Sequence, residues 1–233
     1  MTSNPWHLRL PTTKHYQWYQ NLVDRHRLTE SWLKEIQSER PSHLLTRGLR
    51  PEIQNSLWFL ESLPQIELTE ITDDTSVEQQ LSRLEHTIWS AQAWTLNALM
   101  TRTPSINQEA LHTLLEQISW KMGKASFESR WKLFKNKNDS DLRKIISFLK
   151  DSPLSGYPKK NGFLIQRAIS TEVQIQLHYC PHQIRHIETK PIADRLCQLH
   201  SHWMRGFIYE INSQASVELS IQAPRCTQRW FFI

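Results

Sequence analysis

Glycine is scarce in this chain, with 5 glycines among 233 residues. No group of them forms the spaced pattern of a dinucleotide-binding or phosphate-binding loop, in which backbone amides hold a phosphate. Enzymes that act on nucleotides are therefore disfavoured from the outset.

Cysteines are also few, and long apolar runs are missing. The 3 cysteines cannot all pair with one another, which favours unpaired thiols in a reducing compartment. No run approaches the length of a membrane span, and the first residues, which include Trp6, Arg9 and Pro11, lack the apolar core of a signal peptide. We expect a cytoplasmic protein that does not contact a membrane.

The formal charge of +5 is unevenly distributed. Residues 121–160 contain 11 Lys/Arg against 4 Asp/Glu, so this segment is a candidate electropositive surface. A solvated helix face is the simpler interpretation, and an acidic peptide, an acidic partner protein or nucleic acid is the alternative. Nucleic acid is the weakest of these alternatives, because the aromatic residues of RNA-binding modules lie on strands, whereas the local ones here fall at helical spacing. These local aromatic residues are Trp120, Phe127, Trp131 and Phe134.

The C-terminal third has the patterns of a small sheet. Apolar and polar residues alternate in residues 163–169 and 173–179, which predicts two strands of a hairpin. Pro191 fits the first turn of a helix that Gly206 would end, and further strands are predicted at residues 207–211, 217–221 and 226–233. The predicted inner face of that helix consists of Ile192, Leu196, Leu199 and Trp203.

The remainder of the sequence predicts helices. Two separate helices are expected from His15 and Thr29, followed by a long one after Asp74, a capping box formed by Ser105 and Gln108, and an interruption or kink at Gly123. We predict an α+β fold with a helical lobe at 1–150, a linker at 151–162 and, at 163–233, a lobe in which one helix packs on an antiparallel sheet.

Histidines and cysteines crowd the C-terminal lobe and suggest two kinds of chemistry. The members of the cluster are His178, Cys180, His182, His186, Cys197, His200 and His202. These ligand types suit zinc, but the cluster lacks a close pair of cysteines, so we expect no bound metal. Alternatively, Cys180 or Cys226 is a nucleophile with a nearby histidine as base. Buried cysteines that do no chemistry are the competing interpretation.

Peptide binding by sheet extension is the third possibility. Glu218, Ser220 and Gln222 would lie on the solvent side of a strand whose edge accepts an added strand. Trp203, Tyr209 and Trp230 are candidate anchors for a partner, although core packing is the commoner role of tryptophan on such stripes. The peptide- or partner-binding set that we predict is Glu218, Ser220, Gln222, Arg225, Arg229, Trp230 and Trp203, with no catalytic residue.

About the last 55 residues resemble the MbnC family, the partner subunits of methanobactin biosynthesis. The residues that carry the resemblance are Cys180-Pro181-His182, residues 193–200, residues 203–207, and Pro224-Arg225-Cys226 with Trp230. The resemblance implies a non-catalytic subunit that binds the leader of a ribosomally made precursor peptide. It also implies a heterodimer with the iron-dependent oxygenase MbnB, which holds the iron and converts a peptide cysteine to an oxazolone with an adjacent thioamide.

The cysteine arrangement is also similar to vinyl-reductase-like and aminothiazoline-carboxylate hydrolase-like domains. That similarity implies a small-molecule hydrolase or sensor that uses Cys180 or Cys226. The Gly-Asp expected before the last cysteine of that group is replaced by Ala223-Pro224-Arg225. The replacement favours the peptide-binding alternative.

Overall fold

The computed structural model describes residues 13–38, 74–130, 163–177, 190–222 and 225–232. By its internal packing the chain divides into two compact units, Met1–Gln108 and Glu109–Ile233. The predicted linker at 151–162 lies outside the described residues. The division that the packing gives comes earlier in the chain, so the helix that follows Gln108 belongs to the same unit as the sheet.

The first unit contains α1, Thr13–Ser38, and α2, Asp74–Arg102, which pack against each other. The predicted long helix after Asp74 is confirmed, whereas the two predicted helices at His15 and Thr29 are one continuous helix. Thr29 is fully buried inside α1, and its hydroxyl donates a hydrogen bond to the carbonyl oxygen of Arg25. Because the preceding turn satisfies this hydroxyl, Thr29 does not need to begin a new helix. The buried apolar residues of the pair include Trp32, Leu33, Ile36, Leu81, Ile88 and Leu96.

A 3-10 turn at Ser105–Asn107 links α2 to α3, Gln108–Arg130. The side-chain amide of Gln108 donates to the carbonyl oxygen of Met100, at 3.2 Å. Gln108 therefore covers the last turn of α2, where carbonyl groups lack helical partners, and this is a different contact from the predicted capping box with Ser105.

Two glycines mark the place where α3 crosses α4, Lys190–Ile211, in the second unit. A Cβ atom on Gly123 would lie 2.0 Å from the carbonyl oxygen of Trp203, and one on Gly206 would lie 2.0 Å from that of Trp120. Each backbone thus approaches the other at a residue without a side chain. Both glycines lie within their helices, so α3 is not interrupted at Gly123, and the predicted stop at Gly206 is wrong.

The continuation of α4 past Gly206 also corrects the predicted strand at residues 207–211, which is helical. Phe207 and Ile208 are fully buried, and the ring of Phe207 meets that of Phe127 edge to face, with centroids 5.4 Å apart. Packing against α3 therefore gives this short apolar run a helical conformation. The predicted inner face of α4 is confirmed, because Ile192, Leu196, Leu199 and Trp203 are all buried.

The sheet consists of β1, Phe163–Ile169, β2, Glu172–Leu177, β3, Ala215–Gln222, and β4, Arg225–Phe232. All neighbours are antiparallel in the order β1-β2-β4-β3, so β1 and β3 are the edge strands. Val173, Val217 and Trp230 lie side by side on the buried face, and α4 packs against β3. The predicted α+β fold with a small antiparallel sheet and a packed helix is confirmed. None of the described helices combines the length and the apolar character needed to cross a membrane.

The glycine crossing generates a test of stability. An exposed Gly→Ala substitution inside a helix raises the free energy of unfolding by about 1 kcal/mol. For Gly123→Ala or Gly206→Ala we expect the opposite sign, a decrease of about 1–3 kcal/mol, because the added methyl group meets backbone atoms that cannot move aside. Urea unfolding measures the difference.

The matched control for this test is Gln117→Ala, at an exposed position of α3. It should change the free energy of unfolding by no more than about 0.5 kcal/mol. A glycine variant as stable as this control would contradict the close crossing.

Candidate functional site

The outer edge of β3 exposes backbone groups in a regular pattern. Along a central strand, successive residues direct their N–H and C=O groups alternately to the two neighbouring strands. The amide of Phe232 donates to the carbonyl oxygen of Thr171, on the β2 side, so Trp230 and Gln228 also face β2. Their partners across the β3–β4 pair are Val217 and Leu219, whose backbone groups therefore point away from β4. The same alternation extends to Ile221.

Two further contacts agree with this orientation. The amide of Ala215, two residues before Val217, donates to the carbonyl oxygen of Asn212 at 2.9 Å. The carbonyl oxygen of Val217 accepts a hydrogen bond from Nε of Arg205, on α4, at 2.7 Å. One end of the edge is thus covered by Asn212 and Arg205. Toward Gln222, the edge continues with the outward backbone groups of Leu219 and Ile221.

The second edge strand, β1, is less regular. Its pairing with β2 shifts register between Ile165 and Arg167, which is the mark of a bulge. Bulges interrupt the even spacing that an added strand would need. By contrast, β3 pairs with β4 over eight consecutive residues without a shift. Between the two edges, β3 is the better template for strand addition.

A row of four charged residues, which we call the ion row, crosses the exposed face of the sheet. Its members alternate in sign along the strand order: Arg167 on β1, Glu172 on β2, Arg229 on β4 and Glu218 on β3. Arg229 is central, with Nε 3.1 Å from Glu172 Oε1 and Nη1 3.4 Å from Glu218 Oε2. Arg167 Nη1 lies 3.5 Å from Glu172 Oε2. Hydrogen bonding to Glu172 raises the pKa of Arg229, so the arginine stays a cation.

One aromatic ring accompanies the ion row. The guanidinium carbon of Arg229 lies 5.1 Å from the ring centroid of Phe231, which is half-buried on the same face. Glu172 lies directly across from Phe231 in the β2–β4 pair. A contact of this kind at an exposed site is weakly attractive and so favours this conformation of the arginine. The face therefore presents fixed charges beside a flat apolar surface.

The residues that we predicted to bind a peptide or partner fall into three groups. Glu218, Ser220 and Arg229 are exposed on the face with the ion row. Gln222 pairs with Arg225 at the end of the β3–β4 ladder, and the side chains of these two lie outside the described residues. Trp203 and Trp230 are core residues, 4% and 1% exposed. The exposed aromatic candidate is Tyr209, 41% exposed, with its ring centroid 5.4 Å from that of Trp120.

Most of the histidine and cysteine cluster, including His178, Cys180, His182 and His186, lies outside the described residues. Cys197 is buried in α4, and Cys226 is a β4 residue whose side chain lies outside the described set. The ring of His200 stacks on that of Trp203, with centroids 6.0 Å apart. In the part of the chain that the structure describes, no three His, Cys, Asp or Glu side chains are grouped as metal ligands.

A second polar cluster joins α3 to α4, and we did not predict it from the sequence. Arg195 Nη1 lies 3.1 Å from Glu116 Oε1, and His202 Nε2 lies 3.7 Å from Glu116 Oε2. Gln198 also accepts a hydrogen bond from Arg195 Nη1, at 2.6 Å. Nε and Nη2 of Arg195 and Nε2 of His112 are buried, and none of them has a hydrogen-bond partner among the described residues. The helical spacing of Arg195, Gln198 and His202 was the available signal for a polar stripe, but it did not identify Glu116 as its partner.

Burial sets the protonation of this cluster. It lowers the pKa of His202, and the charge of Glu116 only partly opposes that effect. Burial also lowers the pKa of His112, and the positive charge of Arg195 lowers it further. Burial lowers the pKa of Arg195 as well. Both histidines are therefore poorer bases in the folded chain than in the unfolded chain.

These pKa directions predict acid sensitivity. A histidine whose folded pKa lies below the unfolded value of 6.5 binds fewer protons when folded. Its contribution to stability is therefore complete above pH 6.5 and is lost as the pH falls through that value. We expect the free energy of unfolding, measured in urea, to decrease below pH 6.5. The half-buried His26 of the first unit, whose pKa is also lowered by burial, adds to this decrease.

The variants His112→Asn and His202→Asn test the assignment. For each protein we compare the free energy of unfolding below pH 6.5 with its own value at pH 8. The decrease should be smaller in the variants than in the unaltered chain. An unchanged pH profile in the double variant would place the acid sensitivity elsewhere.

Searches of protein-family models, curated proteins and solved structures gave no significant match to this chain.

Proposed function

We propose that this chain is a non-catalytic partner subunit that binds the leader of a ribosomally made precursor peptide. It forms a heterodimer with an iron-dependent oxygenase of the MbnB type, in the cytoplasm. The complex converts a peptide cysteine to an oxazolone with an adjacent thioamide, as in the biosynthesis of methanobactin-type copper chelators. The resemblance of the last 55 or so residues to MbnC supports the reaction class.

The outer edge of β3 is the observation that carries the peptide-binding part of the proposal. Leu219 and Ile221 direct their backbone groups away from β4, with no described strand on that side. An extended peptide satisfies such groups whatever its side chains are, which suits a leader that is recognised but not modified. The exposed Glu218 and Ser220 would then lie beside alternate side chains of the bound leader.

The two proposed subunits have different roles in the reaction. In the proposed complex the partner supplies the iron and its ligands, and this chain positions the leader so that the following cysteine reaches the partner's metal. Holding a substrate in a reactive position accelerates a reaction without any catalytic residue in the holding subunit. The core positions of Trp203 and Trp230 are compatible with this role, because they stabilise the surface from beneath.

Co-expression tests the proposed assembly. With an MbnB-like oxygenase and its precursor peptide, we expect a 1:1 heterodimer by size-exclusion chromatography with light scattering. Oxazolone formation, followed by mass spectrometry of the peptide, should require both chains. The isolated chain should contain no stoichiometric metal by elemental analysis, because the proposal assigns the iron ligands to the partner.

Activity of the chain alone would overturn this assignment. Turnover of a thiol-containing small molecule, abolished by Cys180→Ala or Cys226→Ala, would favour the hydrolase alternative. Stoichiometric metal in the isolated chain would also contradict the proposed division of roles.

Backbone methylation tests the binding mode. We expect the leader peptide to lose affinity when N-methyl groups are placed at the residues whose N–H groups bond to β3, and to keep it when the same group is moved by one residue. The loss should recur with a period of two, because only alternate residues of an added strand face β3. Isothermal titration calorimetry of the methylated series gives the affinities.

Each methylated peptide has its matched control in the peptide methylated at the next residue. An affinity that does not alternate along the series would exclude strand addition, even if the leader binds.

A further inference from the structure

The β3 edge is short for a site that relies on backbone pairing alone. Leu219 and Ile221 together offer four outward backbone groups, and each hydrogen bond contributes a net of about 0.5–1.5 kcal/mol. Most of that gain is offset by the loss of translational freedom and by the ordering of the peptide. Useful affinity therefore requires a side-chain anchor next to the open part of the edge.

Arg205 occupies the position of such an anchor. Its Nε donates to the carbonyl oxygen of Val217, the outward-facing residue next before Leu219. That bond closes the edge at Val217 and fixes the guanidinium group there. Nη1 and Nη2 of Arg205 have no hydrogen-bond or ion-pair partner among the described residues, and the side chain is only half-buried.

The direction of Arg205 also determines which peptide side chain it meets. Arg205 belongs to α4, the helix that packs against β3 on the buried side of the sheet. Side chains of an added strand alternate between the two sides. The paired stretch ends at Leu219, and the peptide residue two positions beyond the partner of Leu219 would lie beside Val217 without pairing to it. By the alternation, its side chain would point to the same side as that of Val217, toward α4. Its neighbour, opposite Glu218, would lie on the side with the ion row.

We propose that Arg205 binds an acidic side chain of the peptide, at the residue that lies beside Val217, two positions beyond the partner of Leu219. This inference rests on the proposed function, because it requires a peptide strand on β3. The two terminal nitrogens of a guanidinium form a planar fork that matches a carboxylate, and a charge-assisted pair of this geometry is stronger than a neutral hydrogen bond. The leader continues into the modified part of the precursor, so the carboxylate comes from Asp or Glu and not from a chain terminus.

The experiment uses synthetic nine-residue peptides with amidated C-termini, which removes the terminal carboxylate. Positional pools, each with Glu, Gln, Lys or Ala fixed at one position, are screened on the full chain to obtain one consensus peptide. Its Glu→Gln version is then compared with it by calorimetry. The proteins tested are the unaltered chain, Arg205→Met, Arg205→Lys and, as a matched control, Lys121→Met at an exposed position of α3.

We expect Glu→Gln to weaken binding about tenfold to the unaltered chain and to Lys121→Met. The same change should weaken binding less than twofold to Arg205→Met, because the partner charge is gone. Arg205→Lys should keep only part of the preference, since an ammonium group has no fork. Thermal unfolding establishes that each variant is folded.

The experiment separates results that contradict the role of Arg205 from results that contradict strand binding to β3. A consensus peptide without an acidic preference, or an equal Glu→Gln loss in Arg205→Met, overturns the role of Arg205 and leaves the strand-binding function standing. If no pool binds, or if the consensus peptide tolerates N-methylation at every position, strand binding itself fails and the role of Arg205 fails with it.

Discussion

The close crossing of α3 and α4 at Gly123 and Gly206 is the constraint on which the second unit depends. Because each glycine lies against the backbone of the other helix, the two helices have little freedom to slide or rotate. The crossing places Glu116 beside Arg195 and His202. It also orients α4 so that Arg205, the residue next to Gly206, reaches the β3 edge. The contact between the backbones of α3 and α4 thus positions the polar groups of α4 that meet α3 and the one that meets β3.

The β3 edge is covered at one end and has outward backbone groups at the other. Natural sheets cover their edges because unpaired backbone groups invite aggregation. Here Asn212 and Arg205 occupy the outward groups near the start of the strand, and the charged Glu218 disfavours pairing with a second copy of the same edge. Among the described residues, what remains is a short stretch, at Leu219 and Ile221, with outward backbone groups beside the cation of Arg205. Under the proposed function, such a stretch would favour a peptide with a matching sequence over indiscriminate strand addition.

Much of the fold was predictable from the sequence because its signals are local. The alternation in residues 163–169 and 173–177 depends only on which side chains face the core, and the stripe of α2 depends only on helical period. The glycines were not predictable in the same way. A glycine inside a helix and a glycine at its end are identical in sequence, and only the neighbouring helix decides between them. The error at Gly206 then produced the error at residues 207–211, which are apolar enough for either a strand or a helix.

The candidate site was predictable to a smaller extent. The polar face of β3 followed from alternation, so Glu218 and Ser220 were identified as exposed residues. The strand order and the direction of each backbone group depend on pairings between residues far apart in the chain, and these have no local signature. Arg205 was missed for the same reason, since nothing in its neighbourhood indicates a contact with Val217.

The alternation of charge in the ion row bears on how partners approach the sheet. Two positive and two negative groups in neighbouring positions cancel at distances longer than their own spacing, so the row contributes no net field at the Debye length of about 10 Å. The overall charge of +5 therefore reaches approaching molecules from other parts of the surface. The ion row itself therefore does not accelerate encounter by long-range attraction. The ion row can distinguish partners only at contact distance, where its alternating charges meet individual side chains.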